Sequence, residues 1–334
     1  MLHLPKHFLV TGGAGFIGSS FIRYGLSHKP YCEKVINLDS LTYAADLRNL
    51  DVVEKDPRYL FVQGDIRNEA LVEKLCTEHQ IDAIVHFAAE SHVDRSILGP
   101  RAFFETNVGG TISLLDVVRR QPHIHFHHIS TDEVYGTLTH EGTFSENSPY
   151  QPNSPYSASK AASDHFVRAY AHTYDLSTTI SHCTNNYGPC QNVEKFIPRM
   201  IAGCFHKKSL PIYGAGNQIR DWIFVDDHSE AIWSILEKGK KGAVYDIGGE
   251  CEQKNIDLLH TLIETFATLK KENPKHLTSL IAHIQDRPGH DFRYAIDCSK
   301  IKQELGWQPL HDLSSGLCKT IAWYLENPER LRLL

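Results

Sequence analysis

A chain of 334 residues with 41% hydrophobic and 22% charged residues has the length for two lobes or one large α/β unit and the composition of a folded globular protein, not a disordered one. Its formal net charge of −6 argues against broad nucleic-acid binding, which needs a basic face, and leaves room for a phosphate ligand held by a few local arginines. No run approaches the ~20 apolar residues that span a bilayer, and the opening MLHLPKHFLVTGG lacks the layout of a signal peptide, so a cytoplasmic chain with no membrane partner is expected.

In chain order, short apolar runs predict strands at 8–11, 35–38, 60–63, 83–87 and 126–130, and amphipathic stretches predict helices at 18–27, 69–79 and 106–119. Two more strands are expected at 178–182 and 243–247. This alternation predicts a Rossmann-like, doubly wound parallel sheet with helices on both faces. Past Asn185 the pattern changes, with Gly-Pro, Ile-Pro, Leu-Pro, Tyr-Gly and Arg-Pro-Gly punctuating shorter helical runs. The expected division is 1–185 as the dinucleotide domain, rejoined by the strand near 243–247, and 186–334 as a smaller, mainly C-terminal α/β lobe for the substrate.

The first strand runs into LVTGGAGFIGSSF, which sets Gly13-x-Gly15-x-x-Gly18 at a strand-to-helix turn, with Gly12, Gly15 and Gly18 also three residues apart. Absent side chains let the backbone turn tightly and approach a pyrophosphate, and the helix N-terminus offers amide donors. Phe16 and Ile17 belong to the same turn. Asp39 ends the second expected strand at about the ~20-residue offset of a ribose-binding carboxylate, which favours NAD over NADP. Without that flanking context the glycines would be read as a plain loop. Asp65, with Ile66, follows the third strand and could accept from an adenine amino group, and Ala88 and Ala89 close the fourth, where small side chains let a cofactor lie against backbone.

The eight cysteines are scattered without a C-x-x-C pair, so buried reduced thiols are expected and no metal site. Histidines in the run HIHFHHIS alternate between the two faces of a strand and cannot all meet one ion.

Two features point to chemistry. Tyr156 and Lys160 stand four residues apart, on one face if helical, where a cation lowers the phenol's pKa and makes it a base for a hydroxyl. Ser130-Thr131-Asp132-Glu133 closes the fifth strand at the carboxyl edge of the sheet, where ligands bind. Two adjacent carboxyl groups there offer a general acid and a general base in different environments, or else a solvated strand end.

The segments TGGAGFIGS, LDSLTYAADL, GDIRN, HFAAESHVDRSI, NVGGT, STDEVYG, SPYSASKAASDH, NNYGP, YGAGNQIRDWIFVDDH and DRPGHDFRYAID run through most of the chain. On them the chain resembles the dTDP-glucose 4,6-dehydratases of the extended short-chain dehydrogenase/reductase family. The glycine and Tyr-x-x-x-Lys motifs are superfamily-wide, whereas Thr-Asp-Glu and Ala-Glu-Ser-His-Val-Asp are much narrower. Ser40, Ala45-Asp46 and Cys190-Gln191 depart from the family pattern.

The resemblance implies a lyase that oxidises C4 of dTDP-glucose, eliminates water across C5 and C6 and returns the hydride to C6, within deoxysugar biosynthesis. It implies that Tyr156 takes the C4 hydroxyl proton with Thr131 orienting it, that Lys160 bonds the nicotinamide ribose, and that Glu133 acts as base at C5 and Asp132 as acid at C6. It implies substrate contacts at Ser91, His92, Asn185 and Asn255, a diphosphate clamp of Arg220 and Arg287, a further contact at His290, and a homodimer built on helices at 106–119 and 157–173 through Leu114, Val118, Phe166 and Tyr170. A UDP-sugar dehydratase, epimerase or decarboxylase of the same fold is the alternative, as is a silent NAD sensor, and the choice between thymine and uracil stays open.

Overall fold

The computed structural model describes residues 4–286 and 289–332. Its strands in chain order are β1 (His7–Thr11), β2 (Lys34–Asp39), β3 (Tyr59–Gln63), β4 (Ala83–His86), β5 (His125–Thr131), β6 (Thr178–Cys183), β7 (Asn185–Tyr187), β8 (Leu210–Tyr213), β9 (Ile219–Phe224), β10 (Val244–Ile247), β11 (Glu252–Lys254) and β12 (Ile281–Ile284). The helices are α1 (Phe16–His28), α2 (Glu69–Glu78), α3 (Val93–Leu98), α4 (Pro100–Phe103), α5 (Gly110–Arg120), α6 (Pro155–Tyr174), α7 (Phe196–His206), α8 (Val225–Lys238), α9 (Asn255–Lys270), α10 (Pro274–Thr278), α11 (Ser299–Leu305) and α12 (Leu313–Glu326).

Seven strands pair in parallel in the order β10-β6-β5-β4-β1-β2-β3. Strands covered on both faces carry apolar runs without alternation. In β1, Phe8, Leu9 and Val10 are all fully buried. Phe8 and Val10 belong to the core beneath α1 and α8, and Leu9 belongs to the opposite core beneath α2 and α5. The first of these cores centres on Trp233 of α8, whose ring stacks on Phe21 at 4.6 Å and whose indole N–H donates to the Phe21 carbonyl at 3.2 Å. Truncating so large a buried side chain costs about 3–5 kcal/mol.

The second half builds a three-stranded sheet, β11-β9-β7, and a parallel pair, β12-β8. Their own core draws Met200, Leu258, Leu262, Leu317 and Ile321 from α7, α9 and α12. β10 departs from this half and pairs with β6 at the edge of the large sheet.

Three expectations need correction. The helix expected at 106–119 is α5 preceded by a π-helical turn, Phe104–Gly109, within which the Asn107 carbonyl accepts from the Thr111 and Ser163 hydroxyls. Leu114 and Val118, expected at a subunit interface, are fully buried against the sheet, while Phe104 is 63% and Leu98 88% exposed. Cys190 and Cys251 are half-buried and Cys318 is exposed, so only some of the eight thiols are interior. Among the described residues no helix is long and apolar enough to cross a membrane.

Candidate active site

Strand order reverses between β1 and β4, and the crevice outside their carboxyl ends is where open α/β sheets bind ligands. Gly12, at φ +71°, ends β1 so close to the fourth strand's loop that a Cβ would lie 2.6 Å from the Ala88 amide nitrogen. A Cβ on Gly18 would lie 2.5 Å from the Gly12 carbonyl, so the first turn of α1 is folded tightly back on the loop. Gly15 caps α1, which begins at Phe16, two residues before the expected start. Asp39 ends β2, and its carboxylate accepts from the amides of Ala14 at 2.9 Å and Leu41 at 2.8 Å. Burial raises its pKa, and those two amide bonds oppose the rise. Asp65 is gripped by the fork of Arg67, with Nη2 at 2.6 Å, and that partner holds it below the usual carboxylate range.

A cavity of about 470 Å³ opens here, and its wall includes Gly12, Gly15, Phe16, Ile17, Gly18, Asp39, Asp65, Ile66, Ala88 and Ala89. The same wall carries Ser91, Thr131, Asp132, Glu133, Tyr156, Lys160 and Asn185. The dinucleotide motif and the reactive side chains thus face one space.

The reactive groups come from two elements. β5 ends at Thr131, which caps a 3-10 turn over Asp132–Tyr135 by accepting from the Glu133 amide at 3.3 Å. The Thr131 hydroxyl donates to Asp132 Oδ1 at 3.2 Å. Asp132 is 2% exposed, and its Oδ2 finds no hydrogen-bond partner among the described residues. Burial, with Glu133 and Asp221 nearby, pushes this carboxyl well above the ordinary range, against the pull of Arg220. Burial thus favours the protonated form of Asp132, the form a general acid needs.

α6 supplies the second set. Ser154 caps it through a capping box with Ser157, and Pro155 takes the first helical position, where a missing N–H costs nothing. Tyr156 follows in the first turn and Lys160 one turn later. The phenol hydrogen-bonds Thr131, but burial, Glu133, Cys183 and Asp132 together raise its pKa well above that of a free tyrosine. The expected lowering by Lys160 is not the net outcome, because the ammonium is directed elsewhere. Lys160 Nζ donates to the Ile129 carbonyl at 2.8 Å and stands 3.3 Å from His128 Nε2. Burial pushes Lys160 down to about 8, opposed by Asp164.

The expected substrate contacts divide. Ser91 and Asn185 line the cavity; His92, Arg220, Asn255 and His290 stand outside its wall. His92 Nε2 is 3.7 Å from Glu194. Arg220 is buried, donating to the carbonyls of Ile219 at 2.7 Å and Asp291 at 2.8 Å, with its guanidinium 4.3 Å over the Tyr294 ring. The Asn255 amide donates to Gln218, whose side chain reaches Asp286, and Asp286 bonds His290 at 2.6 Å. Arg287 lies outside the described residues.

Two residues escaped the sequence reading, one on the cavity wall and one that braces it. Lys195 caps α7 and donates to the Ser91 carbonyl at 3.0 Å, setting a cation on the cavity wall. Asn107 holds the wall segment at Glu90 by bonds to both its amide, at 2.8 Å, and its carbonyl, at 3.0 Å, and also bonds Ser159 of α6. A polar residue inside an otherwise amphipathic helix was the available signal.

Comparison with known proteins agrees with this geometry. A family model described as GDP-mannose 4,6 dehydratase matches residues 9–320. The chain is 51% identical over 330 residues to a dTDP-glucose 4,6-dehydratase of Xanthomonas campestris pv. campestris strain B100, covering 96% of this chain and 93% of that one. A dTDP-glucose 4,6-dehydratase of Streptomyces venezuelae, solved with NAD bound, superposes with a TM-score of 0.92 at 45% identity, covering 98% of this chain and 100% of that one. The Bacillus anthracis enzyme of the same name, in complex with NAD, gives a TM-score of 0.88 at 43% identity over 98% and 100%.

Proposed function

Because the chain belongs to the dTDP-glucose 4,6-dehydratases, we propose that it converts dTDP-glucose to dTDP-4-keto-6-deoxyglucose as an NAD-dependent hydro-lyase. The observation that carries this reading is Asp132, a carboxyl 2% exposed beside Glu133 and in hydrogen-bond contact with Thr131, whose burial favours its acid form. An epimerase has no hydroxyl to expel and needs no such acid; a dehydratase does.

The residues present fit NAD. The Gly12–Ala88 approach leaves bare backbone for a pyrophosphate, and Asp39 offers a carboxylate to a ribose diol while repelling a 2′-phosphate. NAD, when bound, supplies the hydride acceptor for C4 and, once reduced, the hydride donor for C6. Tyr156 takes the C4 hydroxyl proton, with Thr131 orienting that hydroxyl through the network it already shares with the phenol. Lys160 holds the nicotinamide ribose. The 4-ketone acidifies the C5 hydrogen, which Glu133 removes. Asp132 gives its proton to the departing C6 hydroxyl, and water leaves. A proton returned to C5 completes the product.

In this reading residues 1–185 and β10 hold NAD, while 186–334 mainly hold the nucleotide sugar. Ser91 and Asn185 contact the substrate at the cavity wall, and His92, Arg220, Asn255, Arg287 and His290 serve its outer, diphosphate-bearing end. Arginine's planar fork suits phosphate oxygens, and Arg220 reaches them by exchanging its carbonyl partners. The reading also includes a cytoplasmic homodimer.

The test is direct. Purified protein mixed with dTDP-glucose should form a 4-keto sugar without net NADH, and UDP-glucose should react more slowly, since one methyl group is worth about 1–3 kcal/mol in a pocket. A C4 epimer as the sole product, or no turnover of either sugar, would overturn it.

A further inference from the structure

The face of α6 that carries Tyr156 and Lys160 continues one turn further to Asp164, at the same four-residue spacing. Asp164 is fully buried. Its Oδ1 lies 3.3 Å from His128 Nε2, the nitrogen that also stands 3.3 Å from Lys160 Nζ. Its Oδ2 accepts from Ser130 Oγ at 2.9 Å and from His182 Nε2 at 3.0 Å. His182 is fully buried as well, and its other ring nitrogen meets Asp246 Oδ1 at 3.0 Å. Tyr150 lies 2.9 Å from His182, and Tyr135 donates to Asp246 at 2.9 Å.

Sheet register makes this convergence. Ser130 on β5 faces His182 on β6, and His182 faces Asp246 on β10. One row across three adjacent strands therefore runs under α6, and Asp164 drops onto it. Lysine, aspartate, imidazole and aspartate alternate in sign from the cavity to the sheet edge. Buried charges are costly, and a set of them earns little stability by itself. Such a set directly behind a reacting lysine is a functional-site signature.

We propose that Asp164 is a positioning residue of the dehydratase reaction, acting beside His128 and backed by His182 and Asp246 to hold Lys160 as an ammonium at the cofactor end of the cavity. This rests on the reading of Tyr156 and Lys160 as the oxidation pair.

The other groups around Lys160 do not supply the anion. Burial keeps His128 and, from β4, His86 below the usual histidine range, so both are neutral. Cys183 on β6 is pushed up to about 12 by burial and stays a thiol. Burial and the neighbouring carboxyl groups raise Tyr156 on the same helix and Asp132 at the end of β5 above their ordinary ranges, with Glu133 next to them. Asp164 remains, kept well below the carboxylate range, against its burial, by His128 and His182. His182, against its own burial, is raised to about 9 by Asp164 and Asp246 and is a cation at neutral pH.

The test uses the full-length protein and two neutral substitutions of opposite sign. In Asp164→Asn, Lys160 loses its anion. The alkaline limb of C4 oxidation, and the pH above which NAD binding weakens in a fluorescence titration, should both move down by about one unit, a roughly tenfold loss at fixed pH above the limb. In His182→Asn, a cation is removed from behind the anion, and both limbs should move up. Asp164→Glu should restore the original profile, and KM for dTDP-glucose should change by less than about threefold throughout. Limbs that stay in place, or that move down in both variants, would overturn the proposal. Should Asp164→Asn not fold, the direction in His182→Asn decides alone. If the unmodified protein makes no 4-keto product, the functional reading fails, and the NAD titration still judges Asp164.

Discussion

Asp132 accepts a 3.2 Å hydrogen bond from Thr131 with one carboxyl oxygen and buries the other without a partner among the described residues. The buried oxygen is the place for the acid proton. Asp132→Asn keeps the shape and removes that proton, so C4 should still be oxidised while water leaves slowly. Loss of one general acid costs about 10²–10⁴ in rate. In a single turnover NADH absorbance should rise and persist, with solvent deuterium still entering C5 through Glu133. Tyr156→Phe should show no NADH at all. If the two variants behave alike, Asp132 belongs to the oxidation and the division of roles is wrong.

Asp39 has two tasks, bonding the amides of Ala14 and Leu41 and facing the cavity. Hydrogen bonds to a charged group are worth about 1.5–3 kcal/mol, so Asp39→Ala should weaken NAD binding roughly tenfold or more. The unmodified protein should prefer NAD to NADP, measured by isothermal titration. Equal affinities would remove the ribose assignment.

Burial holds His125 and His128 down to about 4 and His228 to about 3, with His86 and His127 also well below the ordinary value. The unfolded chain takes up these protons near pH 6.5, and the folded chain resists. Their contribution is complete above pH 6.5 and is lost as pH falls towards 4, each by about 1.4 kcal/mol per pH unit in that window. His182, raised to about 9, has the opposite sign, present below pH 6.5 and lost as pH rises through 9. The melting temperature should drop by about 5 °C or more between pH 7.5 and 5.5. A flat profile would contradict these burials.

Phe104 and Leu98 are exposed on the side of the sheet that carries α3 to α6, and Phe166 of α6 is 38% exposed. Adding a charge at such a face weakens an isologous contact twice over, once from each subunit. Light scattering at micromolar concentration should give a dimer mass, and Phe104→Glu should shift it to the monomer. A monomer mass for the unmodified chain would show that these residues have no such partner.

Much of the site was legible because its motifs are local. Gly12 to Gly18, Thr131 to Glu133 and the Tyr156–Lys160 pair are each set by nearby residues, so the turn, the strand end and the helix face followed from spacing. Asp164 was not singled out, because nothing local ties residue 164 to 182 and 246; strand register does that. The interface residues show the limit of periodicity. Leu114 and Val118 lie on an apolar stripe, and a stripe does not say whether the sheet or another subunit covers it. Arg220 was expected as a diphosphate clamp, and spacing could not show that the turn returning the chain past Asp291 folds carbonyls around its guanidinium.

β10 comes from the second half of the chain yet forms the outer edge of the large sheet. A nascent chain that has emerged only as far as residue 185 has every dinucleotide-binding and reactive residue of the first half and still lacks the strand that covers β6. Its open edge bares the backbone groups of β6, which template pairing with another chain, and leaves His182 without Asp246. A gene cut at residue 185 should therefore yield an aggregating fragment. Order of synthesis makes the last strand of the sheet the one that completes the charge row beneath Lys160.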